Sequence, residues 1–255
     1  MAITAAQVKA LRDRTGVSMM GCKKALEEAN GDEEKAIEIL RKKGEAKAAT
    51  KANRETKEGI VLAKEEGNKA VMVTQYCETD FVAKNEEFVA IANKAVETAL
   101  SSGVDAALEE ANAALKELFT KLGENMSIEI DMVEGDGLGS YVHTNGKIGV
   151  VLTLESDDTE KARAVAMHIA AMNPLVISPD EVSDELVAKE KDIWVDQLKN
   201  EGKPENMIDQ IMMGKERKFR EEAALLKQAF VMDPDKTIEQ FLDGNMITKF
   251  IRKAI

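Results

Sequence analysis

The chain has 255 residues, of which 44% are hydrophobic and 32% charged, enough for one large domain or two or three small ones with a packed core. A net charge of −12 argues against a broad phosphate-binding surface and so against direct nucleic-acid binding, which rests on basic patches. Two distant cysteines, Cys22 and Cys77, argue against a disulfide framework, and no apolar run approaches the roughly 20 residues of a membrane span. With no apolar signal core at the N-terminus, these features predict a cytoplasmic protein with no membrane partner.

The charge is uneven. Residues 1–57 hold 13 Lys and Arg against 9 Asp and Glu, whereas the rest is strongly acidic. This fits two units with different faces, or solvated helix faces distributed by chance.

Residues 1–54 predict a head of three short helices and the start of a linker. Thr4 and Gln7 make a capping box, followed by Val8 and Leu11 at helical spacing. Gly16 breaks that helix. Ser18 caps SMMGCKKALEEAN, whose apolar members include Met19, Cys22, Leu26 and Ala29. After Gly31, Asp32 caps DEEKAIEILRKKG, with Ala36, Ile37 and Leu40 on one face. Residues 45–57 are polar and alanine-rich without a clear apolar stripe and predict a linker, extended or partly helical, with a domain boundary near residue 55.

From residue 55 two apolar runs flank EEGNK, a hairpin signal. One helix is expected from Phe81 through FVAKNEEFVAIANKAVETALSSG, and a second over 105–121, closed by Gly123. Residues 126–155 predict three strands, the last two joined by TNGK, a strong hairpin signal. The helix TEKARAVAMHIAAMN then stops before Pro174. GNKAVMVTQYCETD plus helix parallels NGKIGVVLTLESDD plus helix, which is either a coincidence open to any strand–turn–helix or the mark of two related core subdomains, expected over 55–139 and 140–255. Ser183 and Pro204 open two polar helices over about 183–222. Leu186, Ile193, Trp194 and Leu198 would face Met207, Ile208, Ile211, Met212 and Phe219 in a protruding antiparallel hairpin. A helix and a final strand close the chain. The fold class is α+β.

Catalytic signals are weak. The two histidines, His143 and His168, have no metal-ligand spacing around them, and there is no Walker A, GxGxxG or GxSxG sequence. His168 reads as a core or interface residue and His143 as exposed. Cys77 precedes a helix, which can lower a thiol pKa, but reads as a packing residue. No cofactor, metal or catalytic residue is expected. Phe81, at a strand–helix corner beside Asp80, is open between a hydrophobic staple or core residue and an exposed anchor.

TGVSMMGCKKAL (15–26), ETDFVAKNEEF (78–88), KLGEN (121–125), GSYVHTNGKIGVV (139–151), AMHIAAMNP (166–174), EGKPENMI (201–208) and AFVMDPDKT (229–237) together resemble the elongation factor Ts family, in order and over nearly the whole chain. The resemblance implies a ubiquitin-associated-like (UBA-like) head, a two-part core of related halves and a coiled-coil arm. It implies a guanine-nucleotide exchange factor for elongation factor Tu, without covalent chemistry. Thr79, Asp80, Phe81 and Val82 would be pushed towards the partner's Mg²⁺ and phosphate site, with Phe81 as an apolar wedge. Arg12, Met19, Met20 and Lys23 would contact the partner from the head, where the methionines are adaptable surface or core and Lys23 is a contact or solvated. Leu122, Gly123, His143, Val231 and Met232 match further contact segments. The arm is a candidate for a homodimer or a 2:2 complex. The alternative is a non-catalytic ubiquitin-associated-like adaptor or ribosome-linked binding protein.

The sequence departs from that family pattern in three places. GCKK stands where DCKK is usual, MSIEID is acidic where an arginine pair often follows KLGEN, and FIRKAI ends the chain without the usual last module. The last departure bears on affinity.

Overall fold

The computed structural model describes residues 3–51, 54–201 and 204–255. In the head, α1 (Ala5–Thr15) carries the expected Thr4–Gln7 capping box, and Gly16 ends it in the left-handed region. Ser18 caps α2 (Met19–Glu28) by accepting the Gly21 N–H, and Asp32 starts α3 (Glu33–Lys51) by accepting the Lys35 N–H. Val8, Leu11, Val17, Cys22, Ala25, Leu26, Ala36 and Leu40 form the head's core. Met19, which periodicity places inward, is exposed instead, because it occupies the first helical position and precedes the buried face.

Helix α3 does not stop at Gly44 but runs on to Lys51 through the expected linker. Gly44 is there for clearance. A Cβ at this position would lie 2.5 Å from Thr120 Oγ1 of α6 (Val104–Leu122), so the glycine lets two helices approach closely. At the end of α3 the Lys51 ammonium donates to the Gly123 carbonyl and sits 5.8 Å from the centre of the Phe119 ring. These contacts fasten the head to the body.

The body has four layers. β1 (Glu58–Glu66), β2 (Lys69–Cys77) and β3 (Met126–Glu134) form one antiparallel sheet in the order β1-β2-β3. β4 (Gly137–Val142), β5 (Ile148–Leu154) and β8 (Ile247–Ala254) form a second, in the order β4-β5-β8. The chain crosses from one sheet to the other at residues 135–136, just ahead of the expected 139/140 division. The first sheet packs α5 (Glu86–Ser102) and α6 on its outer face, where Val71 and Val73 meet Phe88, Ala92 and Leu115. The second packs α7 (Thr159–Met172) and α10 (Ile238–Leu242), where Val150 and Leu152 meet Val165, Ile169 and Leu242. Between the sheets lie Val61, Ala70, Met72, Leu138 and Val151. Alternate residues of β2 and β5 thus serve two interfaces, which is why both strands read as near-continuous apolar runs. The repeat seen in the sequence corresponds to strand β2 leading to α5 and strand β5 leading to α7.

Gly149 marks a close approach of the sheets. A Cβ there would lie 2.4 Å from Val61 Cγ1 and 2.9 Å from Met72 Sδ. Polar ties flank this contact: Val61 N–H donates to the Gly146 carbonyl at 2.7 Å, Lys147 pairs with Glu58, and Lys253 pairs with Glu129 at 2.7 Å.

Helices α8 (Asp184–Asn200) and α9 (Glu205–Ala223) form the helical arm. The pairs Arg220–Asp184, Lys191–Glu216 and Trp194–Phe219 (ring centres 5.6 Å apart) set an antiparallel register. Val187, Trp194 and Leu198 are buried and Leu186, Ile208, Ile211, Met212 and Phe219 half-buried. Ile193, expected on the seam, faces solvent beside Trp194, since a narrow two-helix seam has no room for adjacent residues. Met207 lies outside the described side chains. After the arm, β6 (Ala229–Phe230) and β7 (Asp233–Thr237) make a small hairpin with Val231 and Met232 at its tip.

His168 is fully buried on α7. Its Nδ1 accepts the Val231 N–H at 3.2 Å, and its Nε2 lies 3.0 Å from Gln228 Oε1. Burial pushes its pKa below the ordinary 6.5, opposed by the Gln228 hydrogen bond. An unfolded chain therefore takes up this proton more readily than the folded one.

Two outcomes follow from this packing. Gly149→Ala destabilises the fold by about 1–3 kcal/mol through overpacking between the sheets, read by thermal or urea unfolding; an unchanged midpoint refutes the close approach. Nitrogen NMR of His168 shows a neutral ring protonated at Nε2, titrating below 6.5. Its stabilising contribution is complete above that value and is lost as pH falls from there towards the depressed folded pKa. A ring that titrates at or above 6.5 contradicts the burial.

Candidate functional site

Strand β2 ends at Cys77, and Glu78 and Thr79 turn the chain into the four-residue helix α4 (Asp80–Ala83). Thr79 is the N-cap, its hydroxyl accepting the Val82 N–H at 3.4 Å. The single helix expected from Phe81 onward is broken. Asn85 accepts the N–H groups of Glu87 and Phe88 at 3.0 and 3.2 Å and so starts α5 afresh, as a strong N-cap residue does. This break decides where Phe81 points. In one continuous helix, positions seven apart share a face to within about 20°, and Phe81 would lie over the buried Phe88. Instead Val82 and Ala83 enter the core under α5 and α6, while Phe81 is 82% exposed, the most exposed large apolar side chain among the described residues. A staple or core role for Phe81 is excluded.

The corner is held from across the sheet. Gly123, in the left-handed region (φ 73°), ends α6 and turns Glu124 towards Thr79. One oxygen of Glu124 accepts the Thr79 N–H at 3.1 Å, and the other accepts its hydroxyl at 2.8 Å. Reciprocally, Glu78 accepts the Asn125 N–H at 2.7 Å and pairs with Arg54 at 3.1 Å. The Asn125 hydrogen bond, with Arg54 behind it, holds the Glu78 carboxyl below its usual range. Below the corner, Gln75 Nε2 donates to the Phe88 carbonyl at 2.7 Å. ETDFVAKNEEF and KLGEN, more than thirty residues apart in sequence, thus form one structure.

Around the ring the surface is polar. Asp80 pairs with Lys84 at 2.7 Å, which lowers the Asp80 pKa, and Lys147 adds a smaller pull in the same direction. Lys147 belongs to the β4–β5 turn that carries His143, so this turn lies within Coulomb range of the corner. His143 is exposed, and its Nδ1 accepts the Asn145 N–H at 3.4 Å. Cys77 donates to the Thr79 carbonyl at 3.1 Å, and burial, reinforced by the charge of Glu124, pushes its thiol up to about 12. A thiol so far from ionised is structural, not nucleophilic. Among the described residues, no group of three or more His, Cys, Asp or Glu is arranged to hold a metal ion.

The remaining sequence-predicted residues fall into two further places. Arg12, Met19, Met20 and Lys23 are exposed on the head, with Met19 and Met20 43% and 61% accessible. A cleft between head and body is lined by Ser18, Gly21 and Lys24 on one side and by Leu122 and Gly123 on the other, which brings the start of α2 to the end of α6. Val231 and Met232 project from the β6–β7 tip. Sequence reasoning did not find Glu124, Asn125, Asn85 or Lys51. The available signal was the glycine–glutamate–asparagine run that follows a helix end in KLGEN.

The family model for Elongation factor TS matches residues 78–255, beginning at Glu78 of this corner. The chain is 45% identical to the elongation factor Ts of Hydrogenobaculum sp., over 97% of this chain and 96% of the relative. It is 44% identical to that of Aeromonas hydrophila, over 98% and 89%, and 45% identical to that of Vibrio vulnificus, over 100% and 92%. A match of this extent, which takes in the corner and its exposed ring, makes the chain a member of the elongation factor Ts family.

Proposed function

We propose that this chain is a translation elongation factor that binds elongation factor Tu carrying GDP and speeds release of the nucleotide, making no covalent bond itself. The observation that carries the mechanism is the 82% exposure of Phe81 on a corner pinned by Glu124. Burying a phenylalanine contributes about 1.5–3 kcal/mol, and a ring that is already fixed loses little freedom on docking. Such rigid aromatics serve as interface anchors.

In this reading Thr79, Asp80, Phe81 and Val82 act as one wedge with divided roles. Val82 holds the corner from the core, Thr79 caps and locks it, and Asp80 and Phe81 are the groups presented. Entry of the ring near the partner's Mg²⁺ and phosphate site displaces the groups that hold the metal. The diphosphate then loses the charge that neutralises it and departs. Thermodynamically the factor binds nucleotide-free Tu more tightly than Tu·GDP, and it weakens GDP by the same factor. Arg12, Met19, Met20 and Lys23 dock the UBA-like head. Leu122, Gly123, His143, Val231 and Met232 supply further contact, and the coiled-coil arm is the candidate surface for self-association.

Release of labelled GDP from elongation factor Tu tests this reading. The parent chain accelerates release strongly, and Phe81→Ala loses about 10- to 100-fold, as expected for an interface anchor. Equal rates for the two proteins refute the wedge, and no acceleration by either favours an adaptor. Glu124→Ala, which leaves the ring in place, reduces exchange several-fold because two charge-assisted hydrogen bonds on Thr79 are lost, each worth about 1.5–3 kcal/mol. An unaffected rate would show that the lock plays no part in exchange.

A further inference from the structure

A buried polar ring lies directly beneath the exposed tip of the β6–β7 hairpin. The Val231 N–H can only donate, so His168 Nδ1 is its acceptor, at 3.2 Å, and the ring is neutral with its proton on Nε2. That proton is donated to Gln228 Oε1 at 3.0 Å. Gln228 in turn donates from its Nε2 to the Glu222 carbonyl, at 2.9 Å, in the last turn of α9, and its own carbonyl accepts the Ile238 N–H at 3.0 Å. One imidazole therefore joins α7, the base of the helical arm and the hairpin tip. On the inner side of the tip, Phe230 is buried, stacks on Phe241 with ring centres 4.3 Å apart, and lies 6.0 Å from the His168 ring. On the outer side, Val231 and Met232 are 46% and 61% exposed.

An apolar residue at position 168 would fill the same space without desolvating a polar ring. It would also leave the Val231 N–H without its acceptor, and a main-chain donor that loses its partner beside a core moves to find another. The hydrogen bond fixes main-chain position at the first residue of a two-residue apolar tip. It thereby fixes the direction in which both side chains leave the body.

We infer that His168 is a positioning residue: by accepting the Val231 N–H it holds Val231 and Met232 in the pose in which they meet elongation factor Tu. This rests on the reading of those two residues as partner contacts. The ring itself touches no partner.

The test uses two conservative variants of the full chain in the GDP-release assay, each also followed by thermal melting. The side-chain oxygen in His168→Asn sits near the former Nδ1 and keeps an acceptor for Val231. His168→Gln reaches the former Nε2 position and keeps the Gln228 contact, but not the Val231 acceptor. His168→Gln raises the concentration of Tu·GDP needed for half-maximal exchange by about 5- to 10-fold, the scale of one lost hydrogen bond, and leaves the maximal rate within about twofold. His168→Asn stays close to the parent. The paired change Val231→Ala, Met232→Ala by itself raises the half-saturating concentration, and adding His168→Gln to it raises that value no further.

The inference is overturned if His168→Asn is as impaired as His168→Gln at equal melting temperature. It is also overturned if His168→Gln costs as much in the tip-altered background as in the parent, since the ring then acts elsewhere. If the tip pair alone changes nothing, the contact reading of Val231 and Met232 fails first, and the positioning role falls with it.

Discussion

The carboxylate of Glu124 receives both hydrogens that Thr79 offers, and the geometry of the exposed corner depends on that pair of bonds. A four-residue helix has no stability of its own, because nucleation fixes several dihedrals for each hydrogen bond gained. Helix α4 persists since its N-cap is tied across to the end of α6 and its second turn is replaced by the fresh start at Asn85. Charge-assisted hydrogen bonds of this kind are stronger than neutral ones and directional. Leaving a phenylalanine in water forgoes about 1.5–3 kcal/mol of burial, so the fold must over-determine its outward pose. It does so from both sides: Val82 and Ala83 pull inward, and Glu124 holds the preceding turn.

The stiffness of that corner is inherited from the sheets behind it. β2 is covered on both faces, by α5 and α6 on one and by the second sheet on the other, so its end at Cys77 cannot swing. Gln75 couples the same strand to the first turn of α5 through the Phe88 carbonyl. The head contributes through Lys51, whose ammonium binds the carbonyl of Gly123, the residue that turns Glu124 towards Thr79. Head, helix layer and corner therefore meet at one left-handed glycine.

Local chemistry was legible in the sequence, and tertiary clearance was not. Thr4, Ser18, Asp32 and Ser183 cap helices as their spacing implies, and the turns at Gly67 and Gly146 close hairpins. The two strands that read as unbroken apolar runs are those buried on both faces. The apolar stripe of DEEKAIEILRKKG gives out before Gly44, yet that glycine is the point where α3 clears Thr120, and nothing within the helix announces a neighbour 76 positions away. Asn85 sits inside a pattern that is otherwise helical, and its capping role competes with that pattern only because the core accepts Val82 and rejects Phe81. Ile193 and Trp194 are both apolar, and only the partner helix decides which one is covered. The corner motif itself was visible, while its lock was not, because a glutamate 45 residues from a threonine leaves no periodic trace. The paired roles of His168 were likewise hidden, since the acceptor it serves is a main-chain N–H.

In the proposed mechanism the interface divides into contacts that hold and a contact that works. Groups on the head and at the β6–β7 tip that meet the partner equally well with and without GDP raise affinity, and so lower the half-saturating concentration, but leave the maximal exchange rate unchanged, as uniform binding does. Only a contact made more fully once the phosphate site has opened contributes to the coupling, and the coupling is bounded by that difference. Phe81 can supply it to the extent that the corner does not yield. A ring on a frayed turn would fold back against Lys84 or Asn85 when it met resistance, and its burial energy would be spent on its own chain. A ring on a corner clamped at Thr79 transmits the same energy to the partner. The bonds from Glu124 are therefore as much a part of the wedge as the aromatic ring it carries.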